Sequence, residues 1–69
     1  MKISARNVFK GRIVEVTKGV TTAHVKIDIG GGIVVTSSIT NTSVDDLQLA
    51  AGKEAYAVVK ASDVMIGTD

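Results

Sequence analysis

The alternation of apolar and polar positions divides the chain into five extended stretches and one short helical stretch. From about Arg6 to Lys18, Val8, Ile13, Val14 and Val16 supply β-branched bulk, and Gly11 interrupts them. A glycine inside a strand marks a bulge or a close backbone approach. Lys18-Gly19 reads as a turn. Ala23, Val25, Ile27 and Ile29 then share one face, and His24, Lys26 and Asp28 the other. This period of two is the signature of a half-buried strand. Gly30-Gly31-Gly32 ends it and permits a hairpin. A third strand runs from Ile33 to about Thr40, with Ile33, Val35, Ser37 and Ile39 on one face.

The character changes at Thr42-Ser43-Val44-Asp45-Asp46-Leu47, which predicts a helix start. Ser43 is the expected N-cap, and Asp45 and Asp46 are expected in the first turn, where the helix dipole favours negative charge. Val44 and Leu47 share a face, and Gly52 is a natural stop. Two further strands are predicted, about Glu54 to Lys60 and Ser62 to Ile66. The order is β-β-β-α-β-β, an all-β fold with one short helix. A short helix between the third and fourth of five strands fits a five-stranded OB-like Greek-key barrel. The alternative is a small barrel with another strand order.

With 69 residues, the chain is expected to form one domain over residues 1–69. A domain of this size buries only roughly 60% of its unfolded surface, so its core is marginal. Small domains usually carry a staple. There is no Cys for disulfides, and a single His with no Cys gives no structural zinc set. Oligomerisation is the staple that remains, and 45% apolar residues are many for so small a sphere to hide. An obligate homo-oligomer is therefore expected.

The start of the chain has no apolar run of a signal peptide, and no segment reaches the length of a membrane span. A cytoplasmic protein is the expectation. Net charge is +1, with Lys and Arg scattered along the chain. That is no polybasic footprint for duplex nucleic acid or a membrane surface. Phe9 and Tyr56 are the only aromatics, too few for a stacking platform for single strands.

An enzyme is not expected. His24 stands alone on the polar face of its strand, with no partner for metal binding or nucleophilic catalysis. No general acid–base pair is evident. Gly30-Gly31-Gly32 is no phosphate loop, because neither a Lys-Ser/Thr pair nor a helix follows it.

The two ends offer more. Ser4 and Arg6 point the same way along an extended segment and converge a hydroxyl and a permanently charged fork. Lys60 and the N–H groups of Ala61 and Ser62 lie where the last two strands are expected to join. Ser43 adds a hydroxyl at a helix start. Together these are the donors that a small dianion needs, and such charge-assisted bonds require no metal cation. The competing account is ordinary: Ser43 as a cap, Arg6 and Lys60 as solvated charges.

Ile3-Ser4-Ala5-Arg6-Asn7 with Lys10-Gly11, Lys18-Gly19-Val20, and Ala57-Val58-Val59-Lys60-Ala61-Ser62-Asp63-Val64-Met65-Ile66 resemble the molbindins. These are small molybdate-binding proteins, also called molybdenum-pterin-binding proteins, built on the Mop or TOBE-type domain. The likeness covers nearly the whole chain in matching order. It implies an OB-like barrel assembled as a hexamer, a trimer of dimers with strands shared between subunits. It implies molybdate sites between subunits, formed by Ser4, Ala5, Arg6, Ser43, Lys60 and Ala61. It also implies a second class of site near a threefold axis, involving Gly19, Val20 and Thr22. Tungstate is the implied analogue, and a molybdopterin form is an open alternative ligand. Val8 departs from the resemblance, since relatives often carry a polar residue there. The implied function is molybdenum storage and homeostasis in the cytoplasm. The alternatives are a ligand-sensing interaction module and a single-stranded nucleic-acid-binding OB module.

Overall fold

Alternation in the second strand sets the two faces of the sheet. Ala23, Val25 and Ile27 are buried, while His24, Lys26 and Asp28 are exposed, because successive Cβ atoms point to opposite faces. The computed structural model describes residues 1–69. Its strands are β1 (Asn7–Lys18), β2 (Thr22–Gly30), β3 (Ile33–Thr40) and β4 (Glu54–Val59), with helix α1 (Asn41–Asp46) between β3 and β4. All four strands form one sheet in the order β3-β2-β1-β4, and every pairing is antiparallel. Read from the other edge, this is the 4-1-2-3 order of a Greek key.

β1 is the long central strand, and it is bent. Ile13 pairs with Ile27 and Glu15 with Lys26, so Val14 is the extra residue of a bulge. The bulge lets β1 turn its inner face along its whole length, with Ile13 buried and Val16 packed against the core. Gly11 serves the other purpose expected of it. A Cβ there would clash with the Asp28 carbonyl oxygen and sit 2.9 Å from Ile27 Cγ1. The close approach is at Gly11 and the bulge lies at Val14.

Ile13, Ala23, Val25 and Val44 form the core, with Val16, Ile39, Leu49 and Ala55 packed around it. Val44 of α1 covers one end. Only 5 of 69 residues are buried, Ile27 being the fifth, so the apolar burial that normally offsets chain entropy is small. The edges β3 and β4 are not hydrogen-bonded to each other. Between them opens an apolar cleft of about 610 Å³, lined by Val35, Leu47, Leu49, Ala57 and Val59 among others.

Three expectations need correction. The fifth strand, Ser62 to Ile66, does not form. Ala61–Asp63 makes a single 3-10 turn, closed by Asp63 N–H to Lys60 O at 2.8 Å. The residues beyond run exposed and unpaired, with Met65 91% and Ile66 88% accessible. A strand exists only where it has a neighbour to pair with, and this segment has none in its own chain. The structure therefore holds four strands in one antiparallel sheet of Greek-key order, where an OB-like Greek-key barrel of five strands was expected. The N-cap is Thr40 and not Ser43: Thr40 is extended (ψ 150°), and its side chain accepts from Ser43 N–H at 3.0 Å. The helix thus starts at Asn41, and Asp45 and Asp46 fall in its last turn, where the dipole disfavours them. Lys18 compensates one of them, with Nζ 2.6 Å from Asp45 Oδ1.

Candidate functional site

The last rung between β1 and β4 joins Asn7 to Val59. The Asn7 side chain adds a clasp there, Nδ2 donating to Val59 O at 3.1 Å. Arg6 and Lys60 are the next residues on the two strands, so one end of the sheet carries both. Ser4 and Ala5 precede Arg6 on the same arm, and Ala61 follows Lys60 into the 3-10 turn. Ser4, Arg6, Lys60 and Ala61 are exposed and Ala5 is half-buried. The fold thus gathers the two end segments within a single chain.

Three cations at this end make no ion pair, although the Asp63 carboxylate lies in the same turn as Lys60. Lys10, Lys18 and Lys26 are paired with Glu54, Asp45 and Glu15. Arg12 and Lys53 donate to the carbonyls of Gly52 and Gln48. Lys2, Arg6 and Lys60 have no partner, and all three belong to the end segments. The N–H groups of Lys60, Ala61 and Ser62 also find no acceptor in the chain, being the free donors of a turn start. A fork, an ammonium and backbone donors without a carboxylate partner form a surface suited to a small anion.

Ser43 does not join them. It lies in α1, which is tied to the far end of β1 through Lys18 and Asp45. Arg6 lies beyond the near end. Most of β1, 12 residues long, lies between the two places. The Ser43 hydroxyl is also engaged, 2.8 Å from Thr40 Oγ1. Within one chain the six residues expected at the first site are therefore split, five at one end and Ser43 at the other.

The second group is assembled in one place. Gly19, Val20 and Thr22 form the turn between β1 and β2, closed by Gly19 N–H to Thr22 O at 2.7 Å. A small polar groove of about 220 Å³ runs beside it, lined by Thr17, Lys18, Gly19, Thr22 and His24. Thr17 and His24 are cross-strand partners, so they project from the same face. Val20 stands at the turn with its side chain 98% exposed. Sequence reasoning missed Thr17, Lys18 and His24 here. The period of two on β2 puts His24 on the face of Thr22, but only the β1–β2 register brings Thr17 opposite. No group of three or more His, Cys, Asp or Glu side chains is placed to hold a metal cation.

Comparison with known proteins identifies the same residues as one family's domain. The TOBE domain model matches residues 3–66. A probable molybdenum-pterin-binding protein of Haemophilus influenzae is 51% identical over 69 residues, covering 100% of both chains. The structure of MopII from Clostridium pasteurianum, in a form described as apo2, superposes with a TM-score of 0.91 at 49% identity, over 97% of this chain and 100% of that one. The cytoplasmic molybdate-binding protein ModG, crystallised with molybdate bound, superposes with a TM-score of 0.83 at 54% identity, over 88% of this chain and 43% of that one. The domain match over residues 3–66, the identity over the full length and the superposition agree: this chain belongs to the TOBE-domain family and to its small molybdenum-pterin-binding (Mop) group.

Proposed function

We propose that this protein binds molybdate, with tungstate as a close analogue, and serves molybdenum storage and homeostasis in the cytoplasm. The observation that carries this reading is that Arg6 and Lys60, neither of them ion-paired, both lie just beyond the last rung of the β1–β4 ladder, next to free backbone N–H groups. A tetrahedral dianion satisfies all of these donors at once. ModG, whose crystal structure holds molybdate, is a relative whose ligand this chemistry fits. The Haemophilus relative's name extends the ligand to a molybdopterin form, which the same donors would hold through its oxyanion part.

The site is completed between copies. Ser43 sits at the wrong end of its own chain, so it reaches Arg6, Ala5, Ser4, Lys60 and Ala61 only from a neighbouring one. Assembly also supplies what the chain lacks on its own: a cover for the apolar cleft, for Val20, and for Met65 and Ile66. The unpaired segment Ser62 to Ile66 finds its strand neighbour there. A hexamer, a trimer of dimers, satisfies these needs and places the Gly19–Thr22 turns together as a second class of site. Binding that requires assembly also stabilises it by mass action.

Selectivity follows from cavity size. A ring of donors fitted to molybdate accepts tungstate, which has nearly the same size and charge, and leaves the smaller sulfate under-coordinated. The test is a calorimetric titration of ligand-free protein with molybdate, tungstate and sulfate, paired with native mass at each end point. Tight, similar binding of the first two to an oligomer is expected. Preference for sulfate, or binding to a monomer, would overturn the reading.

A further inference from the structure

The turn between β1 and β2 is held from one side only, and mostly by one residue. Asn41 Nδ2 donates to Gly19 O at 3.0 Å and to Val20 O at 3.3 Å. Asn41 N–H donates to Thr21 O at 2.8 Å, and Gly19 N–H to Thr22 O at 2.7 Å. Four consecutive carbonyls thus end on donors within the chain, three of them on Asn41. The N–H groups of Val20 and Thr21 find no acceptor at all. Peptide groups whose carbonyls are tied inward present their N–H ends outward, and successive outward N–H groups form an anion-binding edge.

Nothing in α1 requires asparagine at this position. Thr40 already caps the helix, and Asn is a mediocre helix former. It also carries a cost, because its Oδ1 is buried without a partner. The amide cannot be turned over to relieve this. Reversal would set Oδ1 against two carbonyls and leave both without a donor. The residue is explained by what its donors do to the turn.

We propose that Asn41 is a positioning residue for the second oxyanion site: it ties the carbonyls of Gly19, Val20 and Thr21 inward, so that the Val20 and Thr21 N–H groups face the anion. This rests on the reading of the Gly19–Thr22 turn as such a site. Without the side chain, the peptides at Gly19–Val20 and Val20–Thr21 are free to rotate and to aim a carbonyl at the ligand. The anion need not touch Asn41 for its removal to be felt.

The test uses the full chain and molybdate. Isotherms of the wild type are compared with Asn41→Ser, which loses the reach to the turn, and Asn41→Asp, which keeps the shape but replaces the Nδ2 donor. Both variants are expected to keep the first class of sites, which also reports that they fold. Second-class affinity is expected to fall about tenfold or more, the loss expected for two neutral hydrogen bonds. Backbone amide shifts should show the split directly: molybdate moves Val20 and Thr21 in the wild type only, and Ala61 in all three.

Two classes retained at full affinity in both variants would overturn the role of Asn41 while leaving the second site standing. A wild-type isotherm with a single class would overturn the second site and this proposal with it. Should neither variant fold, the wild type decides. Exchange of the Asn41 side-chain amide protons should slow as the second class fills, and unchanged exchange would overturn the proposal.

Discussion

Asn7 closes the last rung of the β1–β4 ladder with its side chain, Nδ2 to Val59 O at 3.1 Å, and thereby fixes where Arg6 and Lys60 emerge. The clasp spans 52 positions of sequence and brings the two residues just beyond it, neither of them ion-paired, to one end of the sheet. A dianion bound there meets both charges at once.

Replacing Arg6 or Lys60 by Ala should therefore weaken molybdate binding without unfolding the chain. Each removes one charge-assisted interaction, worth about 1.5–3 kcal/mol, or roughly 10–100-fold in affinity. Neither side chain has a partner to lose, so ligand-free stability should change by less than about 0.5 kcal/mol. Calorimetry and ligand-free melting read the two effects separately. Unchanged affinity in both variants would remove the pair from the site. Arg6→Lys should recover only part of the loss, because an ammonium lacks the planar fork.

Gly11→Ala should fail for a reason unrelated to backbone freedom. The new Cβ would strike the Asp28 carbonyl oxygen, which is backbone and held in the β2 ladder. Overpacking of this kind costs about 3 kcal/mol or more when the obstacle cannot move. With only five buried residues, the chain has little reserve. Thermal melting should show a large drop, or loss of the cooperative transition. A wild-type melting temperature would mean that β1 and β2 separate more easily than their register implies.

Thr40→Ala tests the helix start. It removes the cap accepting from Ser43 N–H and the 2.8 Å contact with Ser43 Oγ. Loss of an N-cap costs about 1 kcal/mol. It should also loosen Ser43, so molybdate affinity should fall even though Thr40 is not a proposed ligand. Denaturant unfolding and titration of the same sample check both. A stability loss with affinity intact would show that Ser43 needs no fixed orientation.

The sequence made the sheet legible wherever one short-range rule governed. Alternation placed Ala23, Val25 and Ile27 inward because Cβ direction has a period of two. Gly30-Gly31-Gly32 marked the hairpin, and all three adopt positive φ. Gly11 marked a close approach. Elsewhere local signals competed or were absent. Thr40, Asn41, Thr42 and Ser43 are all capping residue types, and only the tertiary position of Val44 selects Thr40 over Ser43. Ser62 to Ile66 has the composition of a strand, but pairing needs a neighbour that its own chain does not supply. The end segments carried a readable chemistry, whereas their juxtaposition depends on the long-range Asn7–Val59 register. Asn41 gave no local signal, since its bonds to Gly19 and Val20 cross 22 and 21 positions.

The unpaired tail gives the most direct separation of chain from assembly. Residues 64–69 make no hydrogen bond to the sheet; Val64 N–H reaches only Ala61 O at 3.3 Å, and Thr68 Oγ1 only Asp69 O at 3.3 Å. Deleting them removes no bond of β1 to β4 and leaves Ser4, Ala5, Arg6, Ser43, Lys60 and Ala61 in place. On the fold of one chain alone, the truncated protein should bind and melt like the full one. If the tail instead supplies the strand that a neighbouring copy lacks, native mass should fall below the hexamer. Molybdate binding should then weaken, and melting should become strongly concentration-dependent. Occupied sites should restore part of the loss, since ligand at about 100 times its Kd adds about 2.7 kcal/mol per site. A truncated chain that assembles and binds like the full one would place the interface elsewhere, on the apolar cleft without the tail.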